Sequence, residues 1–262
     1  MTVIKTSNDP SFIIYSPIPY SEAVIKSIGD AMIENGDLDA KYSSSWIEKV
    51  THIFIPNKEH NLAVASYKSV IPKAKIFGPE GCVESIDSII DYKFTESTAY
   101  KFLQGDELKE AFNMGEDLEI NKNLLNSSIQ IVNFYSHFTK ETVLYCPKSS
   151  TVVLGDLLIN IQTCDEKDAS PNSDVYNEQF DGSNAPFSFY SFPGLAIRLF
   201  NNSNSFCFGA LQKFFLKDPE NTSAAMKHIM ETWDFDTVIM CHGDVVQRNG
   251  KSVLSDFFAR YL

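Results

Sequence analysis

The chain has 262 residues, of which 44% are hydrophobic and 13% aromatic, and it carries a formal net charge of −12. This length accommodates one large domain or two small ones, and the aromatic content argues against intrinsic disorder. An acidic chain repels the phosphates of nucleic acids, so we expect no nucleic-acid partner.

Apolar periodicity in the first third of the chain predicts alternating strands and helices. Phe12–Tyr15 is a short apolar run that stops at Ser-Pro, and Ser21–Glu34 has helical spacing. Val50–Ile55 reads as a strand, Asn61–Val70 as a helix, and Ala74–Phe77 as the next strand. This order is a βαβ unit, which predicts that its strands run parallel.

The middle of the chain predicts short helices followed by antiparallel strands. Residues from about Tyr100 to Asn126 are polar and indicate helix in pieces. Ser128–Tyr135 alternates as a strand does, and Glu141–Cys146 and Thr151–Leu154 are two further strand-like runs. The turn residues between the last two predict a hairpin.

The last hundred residues predict a long loop followed by helices and one more strand. Residues from about Cys164 to Ser191 are rich in Asp, Asn, Ser and Pro and predict a surface loop or lid. Phe206–Leu216 and Thr222–Trp233 have helical spacing, Thr237–Met240 is strand-like, and Lys251–Leu262 is an amphipathic helix. No linker or fixed-period repeat interrupts the chain, so we expect a single α/β domain over residues 1–262.

The sequence indicates a reduced cytoplasmic protein. Its first residues form no apolar signal region, and no apolar run approaches the roughly 20 residues that span a bilayer. The five cysteines are odd in number and include no Cys-x-x-Cys pair. We therefore expect free thiols, a cytoplasmic location and no membrane contact, while the oligomeric state is left open.

Three predicted strands run directly into side chains that can bind a metal. Glu59 and His60 follow the strand at 50–55, Asp156 follows the strand at 151–154, and His242 follows the strand at 237–240. Residues just past stiff strands can be aimed at a common point. Imidazole and carboxylate groups are ligands for zinc and iron. A single histidine at a strand end is more often structural, so the hypothesis depends on the repetition.

The remaining histidines carry weaker signals. His52 lies inside a strand-like run and His228 inside a predicted helix, and both read as structural residues. His137 lies between two predicted strands. The sequence contains no Gly-x-Ser-x-Gly nucleophile motif and no Gly-rich phosphate loop.

These features together resemble the metallo-β-lactamase fold superfamily, and more narrowly its DUF4336 group. The resemblance rests on the order and spacing of several segments over most of the chain. The segments are Phe12–Ile18, Val50–His60, Pro72–Pro79, His137–Tyr145, Gly155–Asp156, Trp233–Asp236 and Cys241–Asp244. The fold that this resemblance implies is a four-layer αββα sandwich, in which two mixed sheets lie between outer helices.

The resemblance also implies a ligand set with an incomplete first metal motif. Glu59 and His60 match the last two positions of His-x-His-x-Asp-His, whereas Ile55 and Asn57 stand where two histidines are expected. His137 matches an isolated ligand of the first ion. Asp156 matches the carboxylate that bridges two ions, and His242 matches the last ligand of the second ion. The expected metal ligands are thus Glu59, His60, His137, Asp156 and His242.

The function that this resemblance implies is metal-dependent hydrolysis of a small-molecule ester, thioester, amide or phosphoester. Asp156 would ligate the ion and orient the attacking water, and His137 would ligate a second ion or contact the substrate. We expect zinc, one ion rather than two, with iron as the second choice. The alternative is a metal-free member of the fold that serves as a binding or scaffold protein.

Overall fold

Two β-sheets form the centre of the molecule in the computed structural model, which describes residues 1–6, 11–43, 45–115, 118–160 and 206–262. The first sheet has the order β1-β2-β3-β4-β5, and the second has the order β6-β7-β8-β9. The strands are β1 (Thr2–Lys5), β2 (Phe12–Tyr15), β3 (Val50–Phe54), β4 (Lys75–Pro79), β5 (Tyr92–Phe94), β6 (Gln130–Phe134), β7 (Glu141–Cys146), β8 (Thr151–Val153) and β9 (Thr237–Ile239).

Both sheets are mixed. In the first sheet β1 is antiparallel to β2, and β2 to β5 are parallel to one another. In the second sheet β6, β7 and β8 pair antiparallel, and β8 and β9 pair parallel. The predicted βαβ unit and the predicted hairpin are therefore confirmed.

Helices flank the sheets within the described residues. They are α1 (Glu22–Glu34), α2 (Val64–Val70), α3 (Glu84–Asp87), α4 (Gly105–Phe112), α5 (Leu118–Leu125), α6 (Phe206–Phe215), α7 (Pro219–Thr232) and α8 (Gly250–Phe257). The region from Tyr100 to Asn126, predicted to be helical in pieces, contains α4 and α5. Among the described residues, no helix has the length and apolar character needed to cross a bilayer.

Three apolar layers show how the sheets and helices stack. The central layer joins residues of both sheets, among them Phe54 and Phe77 from the first sheet and Leu144 and Val153 from the second. One outer layer packs the first sheet against α1, α2 and α3, and the other packs the second sheet against α7 and α8. The order helix, sheet, sheet, helix confirms the predicted αββα sandwich.

Strand β2 is a continuous apolar run because apolar layers cover both of its sides. In β2, Phe12 and Ile14 contribute to the outer layer, while Ile13 and Tyr15 contribute to the central layer. Such strands lack the polar alternation of a half-exposed sheet. Helices α4 and α5 add Leu108 and Leu124 to the central layer, so they help to close the space between the sheets.

Strands β1 and β5 were not predicted, because four and three residues are too few to show a period. The predicted lid at 164–191 lies outside the described residues. The lid and the single-domain organisation therefore stay predictions.

Candidate metal centre

The loops after β3, β8 and β9 meet at one edge of the sandwich. Asn57 and His60 follow β3, Asp156 follows β8, and His242 follows β9. Since β8 and β9 pair in parallel, Asp156 and His242 leave their strands at the same edge of the second sheet. The backbone N–H of Thr142 donates to the carbonyl of Pro56 (2.7 Å), which joins the end of β3 to the start of β7.

Three side chains converge at this edge into a nearly equilateral triangle. Asp156 Oδ1 lies 3.0 Å from His60 Nε2 and 3.2 Å from His242 Nε2. The two Nε2 atoms lie 3.2 Å apart. Among the described residues, His60, Asp156 and His242 are the group whose ligand atoms lie close enough to share an ion.

The dimensions of the triangle fit a transition-metal ion. Zinc–nitrogen bonds of about 2.05 Å place neighbouring ligands of a tetrahedral ion about 3.3 Å apart. An octahedral ion with bonds of about 2.1 Å places them about 3.0 Å apart. The observed spacings fall between these values, so the three side chains need little movement to bind either type of ion.

Electrostatics at the triangle favour a charged carboxylate. Burial by itself raises the pKa of Asp156, but hydrogen bonds with His242 and His60 more than offset this and hold the pKa well below its ordinary value. The hydrogen bond to Asp156 in turn raises the pKa of His242. Asp156 is therefore anionic at neutral pH, and His242, with 46% of its side chain exposed, remains open to solvent.

A buried polar network supports Asp156 from behind. The side-chain amide of Asn57 donates to Asp156 Oδ2 (2.9 Å) and to Glu141 Oε2 (2.8 Å). Glu141 also accepts hydrogen bonds from the backbone N–H groups of Gly155 (2.5 Å) and Asp156 (3.1 Å). Burial and the nearby charge of Asp156 raise the pKa of Glu141 to about 8, although these hydrogen bonds oppose the shift.

Sequence reasoning missed the network because Glu141 looked like the ordinary polar start of a strand. One feature of the sequence could have indicated that Glu141 is buried. It is a carboxylate at the start of the run Glu141–Cys146, and the rest of that run is apolar enough to be buried on both faces. Gly155 also belongs to this network, because a larger residue would not fit beside it. A Cβ at that position would lie 2.4 Å from Glu141 Oε1 and 2.9 Å from Asn57 Nδ2.

Two of the five expected ligands lie outside the triangle. Glu59 is exposed, and its backbone N–H donates to Asn57 Oδ1 (2.9 Å). His137 is buried, and its Nδ1 accepts from the backbone N–H of Thr139 (3.3 Å) and lies 2.8 Å from Thr139 Oγ1. Burial lowers the pKa of His137 to about 4, while the charge of Asp156 opposes the shift. His137 is therefore neutral and lies within electrostatic range of the centre.

The other two histidines have structural contacts. His52 in β3 is fully buried, with Nε2 2.8 Å from Asn121 Oδ1. His228 in α7 is exposed, and its ring lies 4.0 Å from the ring of Phe102. Both arrangements agree with the structural interpretation of these residues.

A cavity of about 290 Å³ opens beside His60. Its apolar lining includes Pro17, Ile18, Leu154 and Met240. Its lining also includes Cys241, whose Sγ lies 3.2 Å from Ser16 Oγ and whose pKa burial raises to about 12. A thiol with this pKa stays protonated at neutral pH, so Cys241 is unsuited to act as a nucleophile.

A larger cavity of about 400 Å³ lies at the other end of the strands, near Phe12 and Thr151. These residues begin β2 and β8, whereas Asp156 follows the end of β8. Its lining, as far as the structure describes the chain, contains no histidine. The chemistry of the described residues is therefore concentrated at the edge that holds the triangle.

Comparison with known proteins gives likenesses to solved structures alone. No protein-family model matches the chain, and a search of curated proteins finds no relative. The metal-soaked Flv1 flavodiiron core from Synechocystis sp. PCC6803 is 12% identical with a TM-score of 0.48, over 96% of this chain and 50% of that one. This chain thus spans about half the length of that protein.

Two further structures of similar fold contain metal. The metallo-β-lactamase FIM-1 from Pseudomonas aeruginosa, in a mono-zinc form, is 8% identical with a TM-score of 0.46, over 99% of this chain and 81% of that one. The chemotaxis sensor ODP, in a peroxy diiron form, is 11% identical with a TM-score of 0.48, over 96% of this chain and 87% of that one. These identities are low, so the architecture of this chain rests on its own sheet order and apolar layers. Membership of the DUF4336 group stays a prediction.

Proposed function

We propose that the protein is a metal-dependent hydrolase whose single ion is held by His60, Asp156 and His242. The observation that carries the proposal is the triangle of two imidazole nitrogens and one carboxylate oxygen, 3.0–3.2 Å apart. Two histidines and one carboxylate with open positions are the donor set of catalytic zinc sites and of mononuclear iron sites.

Each of the three side chains has a defined part in the proposed centre. His60 and His242 offer nitrogen donors, and Asp156 offers a charge that offsets part of the charge of the cation. A bound zinc ion lowers the pKa of a water ligand from about 15.7 to about 7. The exposure of His242 leaves one side of the triangle open to water and substrate.

The adjoining cavity supports a small substrate with an apolar part. A volume of about 290 Å³ lies near the lower end of the range for ligand sites. Pro17, Ile18, Leu154 and Met240 supply the apolar wall. Among the described residues, those that line this cavity include no lysine or arginine. Esters, thioesters and amides therefore suit the lining better than phosphoesters do.

A specific observation also favours the alternative, a metal-free binding protein. Asp156 already has hydrogen-bond partners on both oxygens, namely the two histidines on Oδ1 and Asn57 on Oδ2. A site that is satisfied by its own side chains can persist without an ion. The same edge of the sandwich would then serve as a pocket for a small molecule.

Metal content and hydrolysis of model substrates separate the two functions. Protein purified without a histidine tag should contain about one zinc or iron per chain by elemental analysis. It should hydrolyse chromogenic esters, thioesters or anilides, lose this activity after chelation and regain it when zinc or iron is returned.

The matched variants are His242→Ala and His228→Ala. We expect His242→Ala to bind metal about 100-fold more weakly, so that it retains little metal after purification and little activity. His228→Ala, at an exposed histidine outside the triangle, should keep both. Hydrolysis that survives chelation and His242→Ala would refute the metal-dependent mechanism. Absence of metal together with absence of hydrolysis would favour the binding protein.

A further inference from the structure

A buried carboxylate that has no part in the proposed chemistry lies behind Asp156. Glu141, the first residue of β7, is 0% exposed. Its oxygens accept hydrogen bonds from the backbone N–H groups of Gly155 and Asp156 and from the side chain of Asn57. A buried carboxylate is tolerated only where such donors replace its lost hydration, so these contacts account for its presence.

Asn57 uses its full hydrogen-bonding capacity within this network. Its Nδ2 donates to Glu141 Oε2 (2.8 Å) and Asp156 Oδ2 (2.9 Å). Its Oδ1 accepts from the backbone N–H groups of Glu59 (2.9 Å) and His60 (3.1 Å). One fully buried side chain therefore connects the segments that carry two of the three proposed ligands.

We propose that Asn57 and Glu141 are positioning residues that hold Asp156 and His60 in the geometry needed to bind the ion. Asn57 fixes Oδ2 of Asp156, and this directs Oδ1 towards His60 and His242. Glu141 fixes the backbone of Asp156 and orients the Asn57 amide. This inference rests on the proposed metal-dependent function.

The network also limits what the centre can bind. Asp156 Oδ2 accepts a hydrogen bond from Asn57, so one of its lone pairs is directed at an N–H donor. Asn57 Oδ1 is directed at two backbone donors. Because both atoms already accept hydrogen bonds from N–H donors, the arrangement favours one ion at the triangle over two.

Cobalt binding tests the inference with a readout other than activity. Co²⁺ accepts ligand sets similar to those of zinc, and its visible absorption reports the coordination geometry. We expect Asn57→Ala and Glu141→Gln each to weaken Co²⁺ binding about 10–100-fold, the usual effect of removing an outer partner of a metal ligand. We also expect each substitution to change the absorption spectrum.

Asn121→Ala is the matched control. Asn121 is also an asparagine with 0% exposure, and it binds His52 and Tyr92 on a different part of the fold. Its removal should lower stability as Asn57→Ala does, yet leave cobalt affinity and spectrum as in the wild type. If Asn57→Ala does not fold, Glu141→Gln, which keeps the size of the side chain, decides the question.

Two results would overturn the inference, and they differ from a failure of the proposed function. Wild-type affinity and spectrum in Glu141→Gln, or an equal change in Asn121→Ala, would show that the network serves stability alone. Failure of the wild-type protein to bind Co²⁺ would instead refute the metal centre itself, and the positioning role with it.

Discussion

Replacing Gly155 with alanine should break the buried network by steric conflict alone. The added Cβ would lie 2.4 Å from Glu141 Oε1, 2.9 Å from Asn57 Nδ2 and 3.0 Å from Glu141 Oε2. Glu141 cannot retreat without lengthening its 2.5 Å hydrogen bond to the Gly155 N–H. Overpacking typically costs about 1–3 kcal/mol, and leaving the buried Gly155 N–H without an acceptor costs about 1–3 kcal/mol. We expect a loss of about 3 kcal/mol in the free energy of unfolding, since such terms overlap.

Urea denaturation with chelator present measures this loss, and Gly115→Ala provides the control. A Cβ at Gly115 would meet nothing within 4 Å, so that substitution should change the unfolding free energy by no more than about 0.5 kcal/mol. Zinc affinity of Gly155→Ala should also fall, by about 10–100-fold. Equal stability and zinc affinity in the two variants would refute the steric and positioning roles assigned to Gly155.

Three further predictions follow from individual side chains. Burial lowers the pKa of His52 to about 4 in the folded protein, whereas its pKa in the unfolded chain is about 6.5. The stabilisation that comes from burying the neutral imidazole is therefore complete above about pH 6.5 and is lost as the pH falls towards 4. When the pH is lowered from about 7 to about 5, the free energy of unfolding measured in urea should fall by about 2 kcal/mol more in the wild type than in His52→Gln. Parallel pH profiles of the unfolding free energy in the two proteins would contradict this. Zinc at about 100 times the wild-type Kd should stabilise the wild type by about 2.7 kcal/mol. If His242→Ala binds zinc 100-fold more weakly, the same zinc concentration should stabilise it by only about 0.4 kcal/mol. In differential scanning fluorimetry, the zinc-induced rise in Tm should then be about 5–9 °C smaller in the variant than in the wild type. An equal rise in both proteins would argue against His242 as a ligand. Burial raises the pKa of Cys241 to about 12, so at about pH 8 this thiol should react with iodoacetamide far more slowly in native than in urea-unfolded protein. Peptide mass spectrometry measures both rates, and equal rates would contradict the burial of Cys241.

The sequence predicted the layers of the fold because their strands are buried on both sides. Runs such as Phe12–Tyr15 and Val152–Leu154 are apolar and buried throughout, which identifies a strand without any knowledge of its partners. The edge that carries the centre was predictable for a related reason. Asp156 and His242 directly follow strands, and the geometry of a parallel pair brings such residues together.

The detailed composition of the centre was not predictable from the sequence. Glu59 and His60 are neighbours in the chain, yet the turn after Asn57 exposes Glu59 while His60 joins the triangle. Only the backbone path of that turn decides which side chain faces Asp156. The role of Glu141 depends on its contacts with Gly155 and Asn57, which lie 14 and 84 positions away in the sequence. No local sequence pattern indicates such contacts.

X-ray absorption spectroscopy on zinc-loaded protein can identify the ligands of the ion. We expect one zinc per chain, with two imidazole nitrogens and one carboxylate oxygen at about 2.0–2.1 Å, and water completing the shell. His242→Ala should lose one imidazole from this shell, and His228→Ala should keep both. A shell without imidazole scattering, or one that His242→Ala leaves unchanged, would contradict a centre built from His60, Asp156 and His242.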